Sequence, residues 1–244
     1  MKIESLKLKN FRNYELLSLE FDKATNIFYG DNAQGKTNIL EAVYLSGTTK
    51  SHRGAKDKDL IRFEQNESHI ETVVEKNGIN YQIDMHLKKN SPKGIAINKM
   101  PIRKASELFG IVNIVFFSPE DLNIIKNGPG ERRRFVDLEL SQLDKVYLSN
   151  LANYNRIVNQ RNHLLKEAAY NSDVLKTLDI WDMQLVHYGN LIIQRRQEFI
   201  EQMNEIISGI HNKLTGGKES IRILYEPSNS YLTLEQALNK NKEK

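Results

Sequence analysis

Apolar and polar residues alternate along the first twenty positions of the chain. Ile3, Leu6 and Leu8 fall in one short run and Leu16 to Phe21 in a second, with Asn10-Phe11-Arg12-Asn13-Tyr14 between them. Side chains of a strand point alternately to its two faces, so this pattern predicts two strands joined by a turn. Thr25-Asn26-Ile27-Phe28-Tyr29 reads as a short apolar strand ending at Gly30, and Asn38 to Leu45 changes to helical spacing. Two more strands are expected around His69–Val74 and Tyr81–Leu87. Asn77-Gly78 lies between them, and this dipeptide readily takes the positive φ angles of a tight hairpin turn. Ile95–Asn98 is a further strand-like run, followed by Lys99-Met100-Pro101. Ile111–Phe117, apolar but for Asn113, predicts a buried strand stopped by Ser118-Pro119.

The pattern changes near Glu120. No glycine occurs between Gly130 and Gly189, and apolar residues recur three or four apart: Leu148, Leu151, Tyr154 and Val158, then Trp181, Leu185, Tyr188, Ile192 and Phe199. This predicts two or three long helices, with Tyr154, Trp181 and Tyr188 in their packing, ended by Thr215-Gly216-Gly217. Ile221–Tyr225 is again strand-like, and Leu234–Lys244 begins another helix.

Composition narrows the class modestly. Of 244 residues 39% are hydrophobic, enough for a core and against disorder. The chain has no cysteine, which excludes disulfides, thiolate metal sites and a cysteine nucleophile. The N-terminal residues lack the apolar segment of a secretory signal, and no apolar run reaches the roughly 20 residues of a membrane helix, so a cytoplasmic location is expected. Net charge is +4, compatible with a nucleic-acid partner without selecting one. The six histidines show no metal-ligand spacing, so no zinc site is expected from sequence.

One motif carries chemistry. Gly30-Asp31-Asn32-Ala33-Gln34-Gly35-Lys36-Thr37 fits G-x-x-x-x-G-K-[ST] between a predicted strand and a predicted helix. Glycines let backbone N–H groups approach phosphate closely, and the helix N-terminus adds positive potential. Lys36 is expected on the β- and γ-phosphates, and the Thr37 hydroxyl on Mg²⁺. The motif implies a nucleoside triphosphate and leaves the reaction open. Asn98-Lys99-Met100-Pro101 lacks the aspartate of a guanine-reading motif. Leu-Ser-x-Gly does not occur. Glu120 and Asp121 follow an apolar strand, but a proline separates them from it.

Several segments together resemble the RecF family. They are Leu8-Lys9-Asn10-Phe11-Arg12-Asn13-Tyr14, Tyr29 to Ala42, Ser51-His52-Arg53, Phe117 to Leu122, Arg132 to Asp137, Gln160 to Lys166 and Trp181 to Leu185, in order along nearly the whole chain. The resemblance implies an α/β fold: an ABC-type P-loop ATPase head, related to SMC proteins, with an inserted, mostly helical second lobe. Residues 1–118 would form lobe I, 119–218 lobe II, and 219–244 would return into lobe I. The signature and acidic-strand motifs lie further on in the family, so an N-terminal portion is expected, binding nucleotide without turning it over alone. The resemblance also implies an ATP-gated homodimeric clamp on single-stranded or gapped DNA. Such a clamp acts with RecO and RecR at gaps and stalled forks, in RecA loading, DNA replication and SOS induction.

The site residues follow. Gly30, Asp31, Asn32, Ala33, Gln34, Gly35, Lys36 and Thr37 are expected to bind ATP, joined by Arg12 and Asn13, whose turn touches the nucleotide in related heads. Thr37 is expected on Mg²⁺, and Glu120 is a second candidate for the metal. His52 and Arg53, shortly after the P-loop helix, face the phosphates, the dimer partner or solvent. Arg132, Arg133, Arg134, Lys88, Lys89, Arg103 and Lys104 are candidate DNA contacts. Within the arginine cluster one side chain is expected to pair with Glu131 or Asp137. Two other readings stay open: a self-contained P-loop ATPase or kinase using Glu120 or Asp121, and a DNA- or partner-binding scaffold in which ATP is structural.

Overall fold

A computed structural model describes residues 1–168, 170–227 and 233–242, with the side chains of Glu120, Ser172, Val174, Asn241 and Lys242 outside that set. The chain divides into two compact units, residues 1–132 and 133–244. Among the described residues no helix is long and apolar enough to cross a membrane.

The first unit is built on an antiparallel sheet of strands β1 (Lys2–Phe11), β2 (Tyr14–Glu20), β3 (Glu67–Lys76), β4 (Ile79–Lys88), β5 (Ser91–Ile97) and β6 (Met100–Pro101), in the order β2-β1-β3-β4-β5-β6. The alternation read from sequence sets its two faces. Leu6 and Leu8 of β1, Ile70 and Val74 of β3, and Ile83, Met85 and Leu87 of β4 are buried together. The residues between them, among them Lys7, Lys9, Glu71, Asp84 and His86, line the opposite face. The turns follow residue chemistry. Asn77 and Gly78 join β3 to β4 with φ of 54° and 79°, and Asn98 and Lys99 join β5 to β6 with φ of 51° and 66°.

Helix α1 (Lys36–Thr48) covers the apolar face, burying Ile39, Ala42 and Leu45 against the strands. Ser46 Oγ lies 2.7 Å from Thr72 Oγ1 of β3 in a buried contact, which satisfies two hydroxyls and fixes how the helix sits on the sheet.

The first unit ends with a short α2 (Asn123–Lys126) and the start of α3 (Pro129–Leu143). The second unit is helical, with the rest of α3 followed by α4 (Lys145–Glu167), α5 (Leu178–Thr215) and α6 (Leu234–Lys242). Asp144 accepts bonds from the N–H groups of Val146 and Tyr147 at the start of α4. Gly216, at φ 61°, ends α5. Leu140, Tyr147 and Ile192 form the core. Beside it the Tyr147 hydroxyl donates to Asp137 at 2.5 Å, and Arg196 donates to the same carboxylate at 2.6 Å. Burial, and the bond to Asp137, push the Tyr147 hydroxyl far above its ordinary pKa. Asp137 is therefore committed to Arg196 and Tyr147, not to the arginine cluster at 132–134 as the sequence suggested. Tyr154 packs on this core.

Three expected strands, at 25–29, 111–117 and 221–225, do not form; all three segments are irregular apart from a turn at Ile111 and a single bridge from Val112 to Phe109. A strand is defined by its hydrogen-bonded partner, and apolar content supplies none. In the second of these segments Ile114 and Phe116 face α1, with Phe116 5.3 Å from the Tyr44 ring, while Val115 and Phe117 are exposed. The third is held differently: the Asn204 side chain accepts from the Ile223 N–H and donates to its carbonyl, both at 2.8 Å.

Leu45 has no solvent exposure and Leu16 is 72% exposed. Leu45→Ala should cost about 2–5 kcal/mol and Leu16→Ala about 0.5 kcal/mol or less, a contrast that urea denaturation of the two variants will measure.

Candidate functional site

The loop between Gly30 and α1 is shaped by two glycines. Gly30 has φ 136° and Gly35 φ 97°, values that side chains resist. Gly35 has a second constraint, since a Cβ there would lie 2.6 Å from the Asn13 side-chain amide. Asn13 donates to the Gln34 carbonyl at 3.1 Å and accepts from Asn38 Nδ2 at 2.8 Å, so the β1–β2 turn clasps the loop from one side. On the other, Arg53 donates to Asn38 Oδ1 at 3.3 Å.

A cavity of about 360 Å³ lies over this loop, lined by Asn32, Ala33, Gly35, Lys36, Thr37 and Arg53 among others. It opens at the N-terminus of α1, where no side chain caps the helix and no acidic residue stands in the first turn. The first N–H groups of that helix and two cations thus face one concave surface, an arrangement that attracts an anion. Lys36 Nζ donates to the carbonyls of Gly30 and Asp31 at 2.7 and 2.5 Å, so the ammonium sits across the mouth of the loop. Thr37 lines the same cavity. The donor set fits a triphosphate with its magnesium: backbone N–H groups and Lys36 for phosphate oxygens, and the Thr37 oxygen for a hard cation.

Arg12 is placed differently from Asn13. Its backbone takes φ 53°. Its guanidinium meets the fully buried Glu41 of α1 with both Nε and a terminal nitrogen at 2.8 Å, and donates to the Asp59 carbonyl at 2.9 Å. Ser51 Oγ donates to the same carboxylate at 2.5 Å, and Arg53 stands 3.8 Å from it. Burial raises the Glu41 pKa, but the bonds from Arg12 and Ser51 more than offset this, and the carboxyl is held below its ordinary range. Sequence reading gave Glu41 no role. Its signal was a lone carboxylate among the apolar positions 39, 42 and 45 that α1 buries.

The remaining candidates separate. The Asp121 carboxylate accepts from the Ser118 N–H at 2.5 Å, closing the turn at 119–122, while the Glu120 side chain lies outside the described residues. His52 packs among aromatic rings, 4.3 Å from Phe116 and 5.7 Å from Tyr44. Arg132 donates to the carbonyls of Ile124 and Asn127, at 3.1 and 3.0 Å, bracing the end of α2. Arg133, Arg134, Lys88, Lys89, Arg103 and Lys104 are exposed.

A phosphate-shaped loop between sheet and helix defines a P-loop nucleotide-binding domain, and residues 5–243 match the family model described as an AAA domain. The chain is 64% identical over 240 residues to the DNA replication and repair protein RecF of Agathobacter rectalis, covering 98% of this chain and 66% of that one. It is 61% identical to the protein of the same name from Lachnospira eligens, covering 100% and 68%. The solved structure of the recombination mediator protein RecF with ATP, in the RecFOR pathway, superposes with a TM-score of 0.88 at 30% identity, over 99% of this chain and 66% of that one. The chain belongs to the RecF family and spans about two thirds of the length of these relatives.

Because the folded pKa of Glu41 lies below its unfolded value of roughly 4.3, its contribution to stability is complete above that pH and is lost as pH falls through the folded value. Glu41→Gln should flatten the decline in stability below about pH 4. Glu41→Ala should cost about 3–5 kcal/mol at neutral pH by leaving Arg12 without its partner. Urea denaturation across pH 3–7 checks both.

Proposed function

We propose that this chain is the ATP-binding portion of a DNA replication and repair protein of the RecF type. The observation that carries this reading is the cradle at residues 30–37, with Lys36 and the start of α1 on one cavity, in a chain that matches RecF relatives along its whole length. ATP would lie with its phosphates on the N–H groups of residues 31–37 and on Lys36, its Mg²⁺ on the Thr37 oxygen. Magnesium there supplies charge neutralisation between the phosphates. Asn13 shapes the loop through Gln34 and Asn38, and Arg12 positions α1 through Glu41 while its turn borders the nucleotide.

In the whole protein this domain gates a homodimeric clamp on single-stranded or gapped DNA. The clamp works in the cytoplasm with RecO and RecR at gaps and stalled forks, in RecA loading and SOS induction. The division into residues 1–118, 119–218 and a returning segment 219–244 belongs to the same proposal. Within the chain, Asp121 is occupied in closing its own turn, which favours nucleotide binding without turnover over a self-contained ATPase or kinase. DNA contact falls to Arg133, Arg134, Lys88, Lys89, Arg103 and Lys104. Arg132 is the weakest of the candidates, because its guanidinium is spent on two carbonyls.

Calorimetric titration with ATP and Mg²⁺ should give binding that Lys36→Ala weakens about tenfold to a hundredfold, since each charge-assisted hydrogen bond contributes about 1.5–3 kcal/mol. Equal affinity in both proteins would remove the P-loop from the account. The double variant Arg133→Ala/Arg134→Ala should lower the slope of log affinity for single-stranded DNA against log salt by about 1.4 if both contact phosphate, and an unchanged slope assigns binding elsewhere.

A further inference from the structure

The outward face of β3 and β4 brings together three metal-ligating side chains, two from β3 and one from β4. The strand register sets His69 directly opposite His86, and Glu67 stands two residues before His69 on the same face. Their imidazole centroids are 3.9 Å apart with an interplanar angle of 23°, and His86 Nε2 lies 2.9 Å from Glu67 Oε2. One ligand atom from each of the three falls within 4.8 Å of the other two. No second group of three such ligands occurs among the described residues.

We propose that Glu67, His69 and His86 form a binding site for a divalent transition-metal ion of the zinc type, held by two imidazole nitrogens and one carboxylate oxygen. The donor set decides the class of ion. Imidazole suits zinc, copper and nickel, whereas magnesium and calcium take oxygen ligands. Three protein ligands leave a tetrahedral zinc one open position. The structure provides room for it, because the residue across from His86 on β5 is Gly94, which has no side chain.

The scaffold is rigid where it matters. Directly opposed residues of an antiparallel pair hold their Cβ atoms about 4.5–5.5 Å apart, and ordinary side-chain rotation brings the donors onto one ion. Surrounding charge is mixed. Lys9 neighbours His69 across β1 and Lys88 opposes Glu67, while Glu71 and Asp84 face each other in the next row, with Glu71 paired to Lys7 at 2.9 Å. This site is separate from the P-loop cavity, and its ligands differ from the oxygen donors proposed for magnesium there.

Zn²⁺ is titrated calorimetrically into the full chain, free of any affinity tag, at neutral pH, and Mg²⁺ in a parallel run. One Zn²⁺ should bind per chain, with Mg²⁺ unable to displace it. Loss of a group that merely supports a metal ligand costs about 10–100-fold in affinity, so removing a direct ligand by His69→Ala or His86→Ala should weaken Zn²⁺ binding by about 100-fold or more. Failure of Zn²⁺ to bind, or binding unchanged in the double variant His69→Ala/His86→Ala, overturns the proposal. A test without substitution guards against misfolded variants. Substoichiometric Ni²⁺ should broaden the imidazole proton resonances of His69 and His86 before those of the other histidines, and broadening that begins elsewhere rejects the site.

Discussion

Glu41 places an ionised carboxylate on the buried face of α1, with no access to water, and an uncompensated charge there would cost several kcal/mol. The first unit is arranged around meeting that cost. Arg12 engages both carboxylate oxygens from the turn between β1 and β2, and Ser51 and Arg53 approach from the segment after α1. The β1–β2 turn and the segment that follows α1 are thereby both tied to the helix that begins at Lys36. The same turn carries Asn13 and the same segment carries Arg53, and these two residues meet Asn38 and flank the loop. The buried ion pair thus positions the loop, and the loop positions the cavity.

The rest of the site follows from local chemistry set on that frame. Glycine at 30 and 35 permits the loop's path, and at 35 the close approach of Asn13 permits nothing larger. A helix that starts without a side-chain cap turns its N–H groups toward whatever occupies the cavity. The sheet behind contributes stiffness, through the apolar face of β1, β3 and β4 packed on Ile39, Ala42 and Leu45. Its other face is free for charge and for the histidine pair.

Local signals carried most of what sequence could reveal. Period-two alternation located β1 to β4, the Asn77-Gly78 dipeptide the hairpin, and apolar spacing of three to four the long helices, because each depends on a pattern within one segment. The P-loop was legible for the same reason: its glycines, lysine and threonine are contiguous. What depends on pairing across the chain was not. The apolar runs at 25–29 and 111–117 have strand composition, yet among the described residues no neighbouring strand pairs with them, and Ile27, Tyr29, Val115 and Phe117 stay exposed. The role of Arg12 could not be separated from that of Asn13, since adjacent residues in a turn point to different partners 29 and 21 positions away. His69 and His86 carry no ligand spacing in sequence and are brought together by strand register alone.

Hydrogen exchange with and without ATP and Mg²⁺ tests most directly whether this loop is the nucleotide site. If it is, adding nucleotide slows exchange at the amides of residues 31–37 by far more than anywhere else in the chain, because those N–H groups become donors to phosphate. Exchange unchanged at 31–37, with protection appearing in another segment, would contradict the account.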